Sequence, residues 1–142
     1  MTQDRASSHQ MVQRAMAAVR VLDPAGAAAR LGAAHTVFVD VRDAADWTSA
    51  HIPGAVSAPR GMLEFYIDPD SAFHLPLFDP LAGNEYVFYC GSGARAALSA
   101  KLAQDMGLQA ACIAQGMRGW REAALPTESA PGTIPTTLER PR

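Results

Sequence analysis

Cysteine is scarce in this chain: Cys90 and Cys112 are the only two in 142 residues. Two thiols are too few for a structural zinc site or a disulfide-dense scaffold. They fit a reducing, cytoplasmic setting, where an accessible cysteine is chemistry before it is structure. Lysine is scarcer still. Lys101 is the single one among 12 Lys and Arg, which stand against 14 Asp and Glu for a formal charge of −2. No basic excess exists to neutralise phosphates, so neither nucleic acid nor an anionic membrane surface is expected as the main partner. Long hydrophobic runs are also missing. None approaches the roughly 20 residues that span a bilayer, and Asp4, Arg14 and Arg20 interrupt the N-terminal apolar residues, so no secretory leader is expected. What remains is 49% hydrophobic and only 18% charged. That balance suits one domain with a sizeable core and is the reverse of a disordered chain.

Periodicity divides the chain into alternating elements. Residues 1–8 are polar and expected to be loose, residues 9–128 form the domain, and 129–142, with Pro131 and Pro135, are expected to be a mobile tail. Met11, Val12, Ala15, Met16 and Val19 recur at helical spacing over 9–20. Asp23-Pro24 opens a second helix that Gly32 stops. The runs 36–41 (TVFVDV), 86–89 (YVFY) and 110–114 are continuously apolar, the pattern of strands buried on both faces, and 55–57 is a brief further strand. Helices are expected over 43–50, 60–67, 94–106 and 116–124, with Ala94, Leu98, Leu102 and Met106 in one row. Between 69 and 84 four Pro and Gly break any regular structure. Such alternation predicts an α/β fold with a central, mostly parallel sheet flanked by helices on both faces. Ligands of that architecture sit at the carboxyl ends of strands, where Asp40 and Cys90 both fall.

The turn after Cys90 reads Gly91-Ser92-Gly93-Ala94-Arg95 and leads straight into a helix. Gly91 and Gly93 permit positive φ and close backbone approach. Consecutive N–H groups can then face inward as an anion nest beside the helix N-terminus. Both effects favour thiolate over thiol. Ser92 offers one more donor, and Arg95 a full positive charge at the rim. Cys112, among Ala110, Ala111 and Ile113, reads as a small buried hydrophobe.

A strand ending in Cys, a loop reaching Arg five positions on, and a helix resemble the active-site loop of the rhodanese family. Asp40-Val41-Arg42, Asp46-Trp47, His51-Ile52-Pro53-Gly54-Ala55 and Pro59 are similar to that family's N-terminal signature. Gly116-Met117-Arg118-Gly119-Trp120 is similar to its C-terminal one, with Met117 in place of the usual second Gly. The likeness runs over about 15–128, in order and at matching spacing. It implies a single rhodanese-like domain and a sulfurtransferase. Cys90 would take a sulfane sulfur from a small sulfur-containing anion such as thiosulfate and hold it as a persulfide. A thiol, cyanide or a partner protein would then accept it, with no metal and no cofactor. Phosphatases and arsenate reductases of this fold carry one more residue between Cys and Arg; here four lie between Cys90 and Arg95, which suits them less. A sulfur carrier or a non-catalytic binding module is the other alternative.

Asp40 could accept N–H bonds from the loop, and Arg42 and Asp46, four apart, read as a structural pair. His51 and the two Trp read as structural. Arg60 opens a stretch holding Phe65, Tyr66, Phe73 and Phe78. That stretch could form an aromatic lid over Cys90, with Arg60 helping to bind an anion.

Overall fold

Runs of β-branched and aromatic residues form the centre of the sheet, since such side chains pack well on a pleated surface buried on both sides. A computed structural model describes residues 5–130 of the chain. Its elements, in order, are α1 (Ser8–Ala18), β1 (Arg20–Leu22), α2 (Pro24–Ala28), β2 (Thr36–Asp40), α3 (Ala44–Ser49) and β3 (Val56–Ser57). A 3₁₀ turn (Arg60–Met62) leads into α4 (Leu63–Ile67), followed by β4 (Glu85–Tyr89), α5 (Ala94–Asp105), β5 (Gln109–Ile113) and α6 (Gly116–Glu122). The strands lie in the order β1-β5-β4-β2-β3, every pairing parallel. Val39, Phe88 and Cys112 share one rung across β2, β4 and β5, and Asp40 pairs with Tyr89 on the next.

The pleat sends alternate side chains to two cores. One holds Val39, Val41, Tyr86, Phe88, Cys90 and Cys112 together with residues of α1, α4 and α5. The other holds Phe38, Val87, Tyr89, Ala111 and Ile113 with Ala27 of α2 and Met117 and Trp120 of α6. The α/β fold with a parallel sheet and helices on both faces is therefore as expected. Among the described residues no helix is long and apolar enough to cross a membrane.

Several local expectations are corrected. Helix α1 begins at Ser8, inside the stretch expected to be loose. Ser7 caps α1, accepting from Gln10 N at 3.1 Å while the Gln10 side chain accepts from Ser7 N at 2.8 Å, a capping box. Arg20 does not end that helix but begins β1, a three-residue edge strand too short to carry a periodicity. α5 turns Ala96, Ala97, Ser99, Ala100 and Ala103 to the core. Leu98, Leu102 and Met106 are only half-buried and pack at its margin. Small residues let α5 lie close on the sheet, and the buried Ser99 hydroxyl is satisfied by donating to Arg95 O at 2.7 Å. At the far end of the chain, Ala130 N donates to Thr48 O at 3.0 Å, so the expected tail does not begin at 129. Residues 131–142 lie outside the described residues.

His51 and Glu128 close the domain. They exchange backbone hydrogen bonds at 2.9 Å, and His51 Nε2 lies 3.1 Å from Glu128 Oε2. The imidazole is buried, stacked on Trp47 with centroids 4.1 Å apart, and its Nδ1 is 2.6 Å from Trp47 O. The Gly54 N–H donates to the Glu128 carboxylate at 3.1 Å and, with His51, holds that carboxyl below its ordinary range. A depressed carboxyl pKa contributes stability above the unfolded-state value, which is lost as pH falls through the folded one. Glu128→Gln is therefore expected to flatten the fall in melting temperature between about pH 5 and 3. Thermal melts across that window check it; an acid limb as steep as in wild type would contradict it.

Candidate active site

The end of β4 delivers Cys90 to the carboxyl edge of the sheet. Its side chain, 1% exposed, lies under the turn that follows. Two backbone N–H groups reach the sulfur: Gly93 N at 3.0 Å and Ala96 N at 3.4 Å. The first lies in the turn and the second in the first turn of α5, so the positive end of a 12-residue helix faces Sγ. Gly93 has φ +113°, a conformation that L side chains rarely adopt, and a Cβ there would stand 3.2 Å from Gln115 N. Gly91 differs. It has no positive φ, and a Cβ built on it would meet nothing within 4 Å. Of the two glycines, only Gly93 is required by conformation.

A second layer holds the loop from behind. Gln115 and Gly116 both take left-handed φ, +61° and +53°. That turn aims Met117 N at Cys90 O (2.7 Å) and Arg118 N at Gly91 O (3.0 Å). A Cβ on Gly116 would stand 2.3 Å from Cys90 O, closer than any real contact. The C-terminal signature is thus the rear wall of the cysteine loop.

A family model described as the rhodanese-like domain matches residues 23–123, which include every element of this wall and loop. The chain belongs to the rhodanese-like domain family. It is 30% identical over 90 residues to a thiosulfate:glutathione sulfurtransferase of Saccharomyces cerevisiae. That match takes in 61% of this chain and 65% of the yeast protein, just short of two thirds of its length. Among solved structures it is similar to a Rhodopseudomonas palustris protein of unknown function described as a possible tyrosine phosphatase. The two are 42% identical with a TM-score of 0.81, over 90% of this chain and 98% of that one. It is also similar to a thiosulfate sulfurtransferase of Pseudomonas aeruginosa, at 26% identity and a TM-score of 0.65, over 87% of this chain and 22% of that one.

Within this rhodanese-like domain the other candidate residues separate clearly. Gly91, Ser92, Gly93, Ala94 and Arg95 follow Cys90 in the turn and the start of α5; of these five Gly93 has its N–H on the sulfur, while Ser92, Ala94 and Arg95 are exposed. Asp40 does not bond the loop. Its buried carboxylate accepts from Arg42 N at 3.0 Å and from Arg42 Nη2 at 2.7 Å. Arg42 in turn donates to Ala50 O at 2.6 Å and Asp46 O at 3.5 Å, and lies 5.9 Å from the Tyr89 ring centroid. The expected Arg42–Asp46 ion pair is therefore an Arg42–Asp40 pair, with Asp46 contributing its carbonyl. Burial opposes the Arg42 charge, but the hydrogen bond and charge of Asp40 outweigh it and raise its pKa. Burial, then the Asp40 charge, also pushes the Tyr89 phenol up, so it stays protonated while accepting from Ile52 N at 3.1 Å. Asp40 and Arg42 brace β2 and α3 beside the site and do not enter it.

Arg60 lies in a shallow groove with Arg14 of α1 and Leu98 and Leu102 of α5, and its ion-pair partner is Glu64 at 3.8 Å. The aromatic stretch does not form one lid. Phe78 is core, 5.4 Å from Tyr86, while Phe65 and Phe73 are exposed. Residues Pro69, His74, Pro76 and Phe78 line a cavity with Met106, roughly 18 Å along α5 from Ala94 at 1.5 Å per residue. The proline-rich segment therefore packs at the end of α5 remote from Cys90. Cys112, equally buried, has its thiol pushed up to about 11, by burial first and the neighbouring Cys90 second.

The loop's glycines are expected to respond oppositely. Gly91→Ala should cost less than about 1 kcal/mol, because no strain or clash arises. Gly93→Ala should cost roughly 1–3 kcal/mol through its left-handed φ and slow alkylation of Cys90, since its own N–H reaches Sγ. Urea unfolding and iodoacetamide kinetics check both; equal effects at the two positions would contradict the assignment.

Proposed function

We propose that this chain is a sulfurtransferase that carries sulfane sulfur on Cys90. The observation that supports it most is the pair of backbone N–H groups directed at Sγ, with Arg95 following on the same helix. Fixed donors of this kind favour an anionic sulfur without metal or cofactor. In the first half-reaction the Cys90 thiolate attacks the outer sulfur of thiosulfate. A Cys–sulfur bond forms, the donor's S–S bond breaks, and sulfite leaves with the bonding electrons. The persulfide anion takes the place of the thiolate, and its charge stays near the Gly93 and Ala96 amides. In the second half-reaction a thiolate or cyanide attacks the outer sulfur, the Cys90 S–S bond breaks, and the thiolate returns. Likeness to the yeast thiosulfate:glutathione sulfurtransferase supports thiosulfate as donor and a thiol as acceptor. The cytoplasm, with its thiol pool, is the proposed setting.

A second reading comes from the R. palustris neighbour described as a possible tyrosine phosphatase. Only four residues separate Cys90 from Arg95, a tight cradle for a tetrahedral phosphate. Turnover of thiosulfate with cyanide or glutathione, run beside hydrolysis of an aryl phosphate, separates the two. Thiocyanate or glutathione persulfide formation with no phosphate release supports sulfur transfer. Phosphate release alone would replace it.

A further inference from the structure

Four of the arginines among the described residues are held in ion pairs. Arg20 and Arg30 pair with Glu85, Arg42 with Asp40, and Arg60 with Glu64. Among the described residues Arg5, Arg14, Arg95, Arg118 and Arg121 have no carboxylate partner within 4.0 Å. Of these five, two stand directly against the cysteine loop. Arg95 is the second residue of α5, which lies on one face of the sheet. Arg118 is the third residue of α6, which lies on the other face, and its own N–H donates to Gly91 O at 3.0 Å. Helical side chains lean toward the helix N-terminus and cover the turn before them. Both arginines are exposed, and each sits in the first turn of a helix that starts against the Cys90 loop, the two helices lying on opposite faces of the sheet. The Cys90 loop packs directly on the start of α6, two residues before Arg118: a Cβ on Gly116 would stand 2.3 Å from Cys90 O, and Gln115 is turned back, its Oε1 3.1 Å from where a Cβ on Gly119 would stand. Arg14 lies in the groove on α1, Arg5 beside the start of α1, and Arg121 is a turn further along α6.

We propose that Arg118 is a second anion-recruiting residue at the Cys90 mouth, facing Arg95 across the loop and selecting doubly charged sulfur donors over neutral ones. The donor part rests on the sulfur-transfer reading; the anion preference of the mouth does not. Two unpaired cations flanking one sulfur raise the local concentration of an incoming dianion and steer its approach, an effect that salt screens. Binding of this kind acts before the chemical step, so it appears in KM more than in kcat.

The test compares two alkylating probes of the same chemistry and different charge. Iodoacetate and iodoacetamide each form a sulfur–carbon bond with Cys90 and release iodide. In Arg118→Gln the iodoacetate-to-iodoacetamide rate ratio should fall about 3–5-fold, with the iodoacetamide rate unchanged. Arg118→Lys should retain most of the ratio, and Arg121→Gln, on the same helix, should retain all of it. The thiosulfate KM of Arg118→Gln should rise about 3–10-fold with kcat within twofold. A wild-type ratio in Arg118→Gln, or an equal slowing by both probes, would overturn the proposal, the latter because it means a displaced loop. If the wild type turns over no thiosulfate, the sulfur-transfer reading fails, and the alkylation ratio alone decides the role of Arg118.

Discussion

Replacing Cys90 with Ser is expected to remove sulfur transfer, by a factor on the order of 10⁴ or more in kcat/KM, while the protein keeps its fold. Ser is nearly isosteric and can accept the Gly93 and Ala96 N–H groups that now reach Sγ. Its hydroxyl, however, stays protonated at neutral pH and cannot hold a transferable sulfane sulfur. The loop would survive and the covalent route would not. Cys112 is the internal control. Both cysteines are 1% exposed, so burial does not distinguish them. The hydrogen bonds to the sulfur do, together with the Cys112 thiol being pushed up to about 11. Cys112→Ser should keep near wild-type transfer and lose about 1–3 kcal/mol of stability, because its hydroxyl enters an apolar layer. Steady-state assays beside urea unfolding check both; the reverse pattern would exchange the roles of the two thiols.

The second large effect is on stability. Asp40→Ala is expected to destabilise the domain by about 3–5 kcal/mol, enough to bring many domains of this size near their unfolding threshold. The cause is the Arg42 guanidinium, nearly buried at 8% side-chain exposure against an Asp40 side chain at 0%. With the carboxylate gone, the cation retains carbonyl partners, Ala50 O at 2.6 Å among them, but no counter-charge. A double change, Asp40→Leu with Arg42→Met, should recover much of the loss, since a buried ion pair adds little over an apolar pair of similar volume. Chemical denaturation of the two variants tests this. A loss below about 1 kcal/mol in Asp40→Ala would mean the pair is solvated, as surface pairs are.

What the sequence disclosed, and what it hid, follows from the range of the forces involved. The strands β2, β4 and β5 are legible because a strand buried on both faces must be apolar throughout, a purely local mark. The cysteine loop is legible for the same reason: its glycines, sulfur and arginine lie within six consecutive residues. β1 was hidden because an edge strand of three residues, Arg20–Leu22, owes its existence to β5 and not to its own pattern. The partner of Arg42 is hidden because four-residue spacing points to Asp46 on a helix. The chain in fact turns at Arg42 before α3 begins, which leaves Asp40, two residues back, the nearer carboxylate. Gly91 and Gly93 look alike in sequence, and only the folded loop separates them: Gly93 takes φ +113° and is approached by Gln115, more than twenty residues on, while Gly91 has neither constraint. Arg118 is inconspicuous inside a signature marked by its glycines and tryptophan. The signal was its place two residues after Gly116, but its closeness to Gly91 exists only in the folded chain.

The central claim is that Cys90 itself carries the sulfur. Its most direct test is the intact mass of the protein after brief exposure to thiosulfate under non-reducing conditions, followed by peptide mapping. The account predicts a gain of one sulfur atom on the peptide containing Cys90, removed by cyanide with release of thiocyanate, and no gain in Cys90→Ser. An added sulfur on the Cys112 peptide, or an unchanged mass in a protein that still turns over thiosulfate, would contradict it.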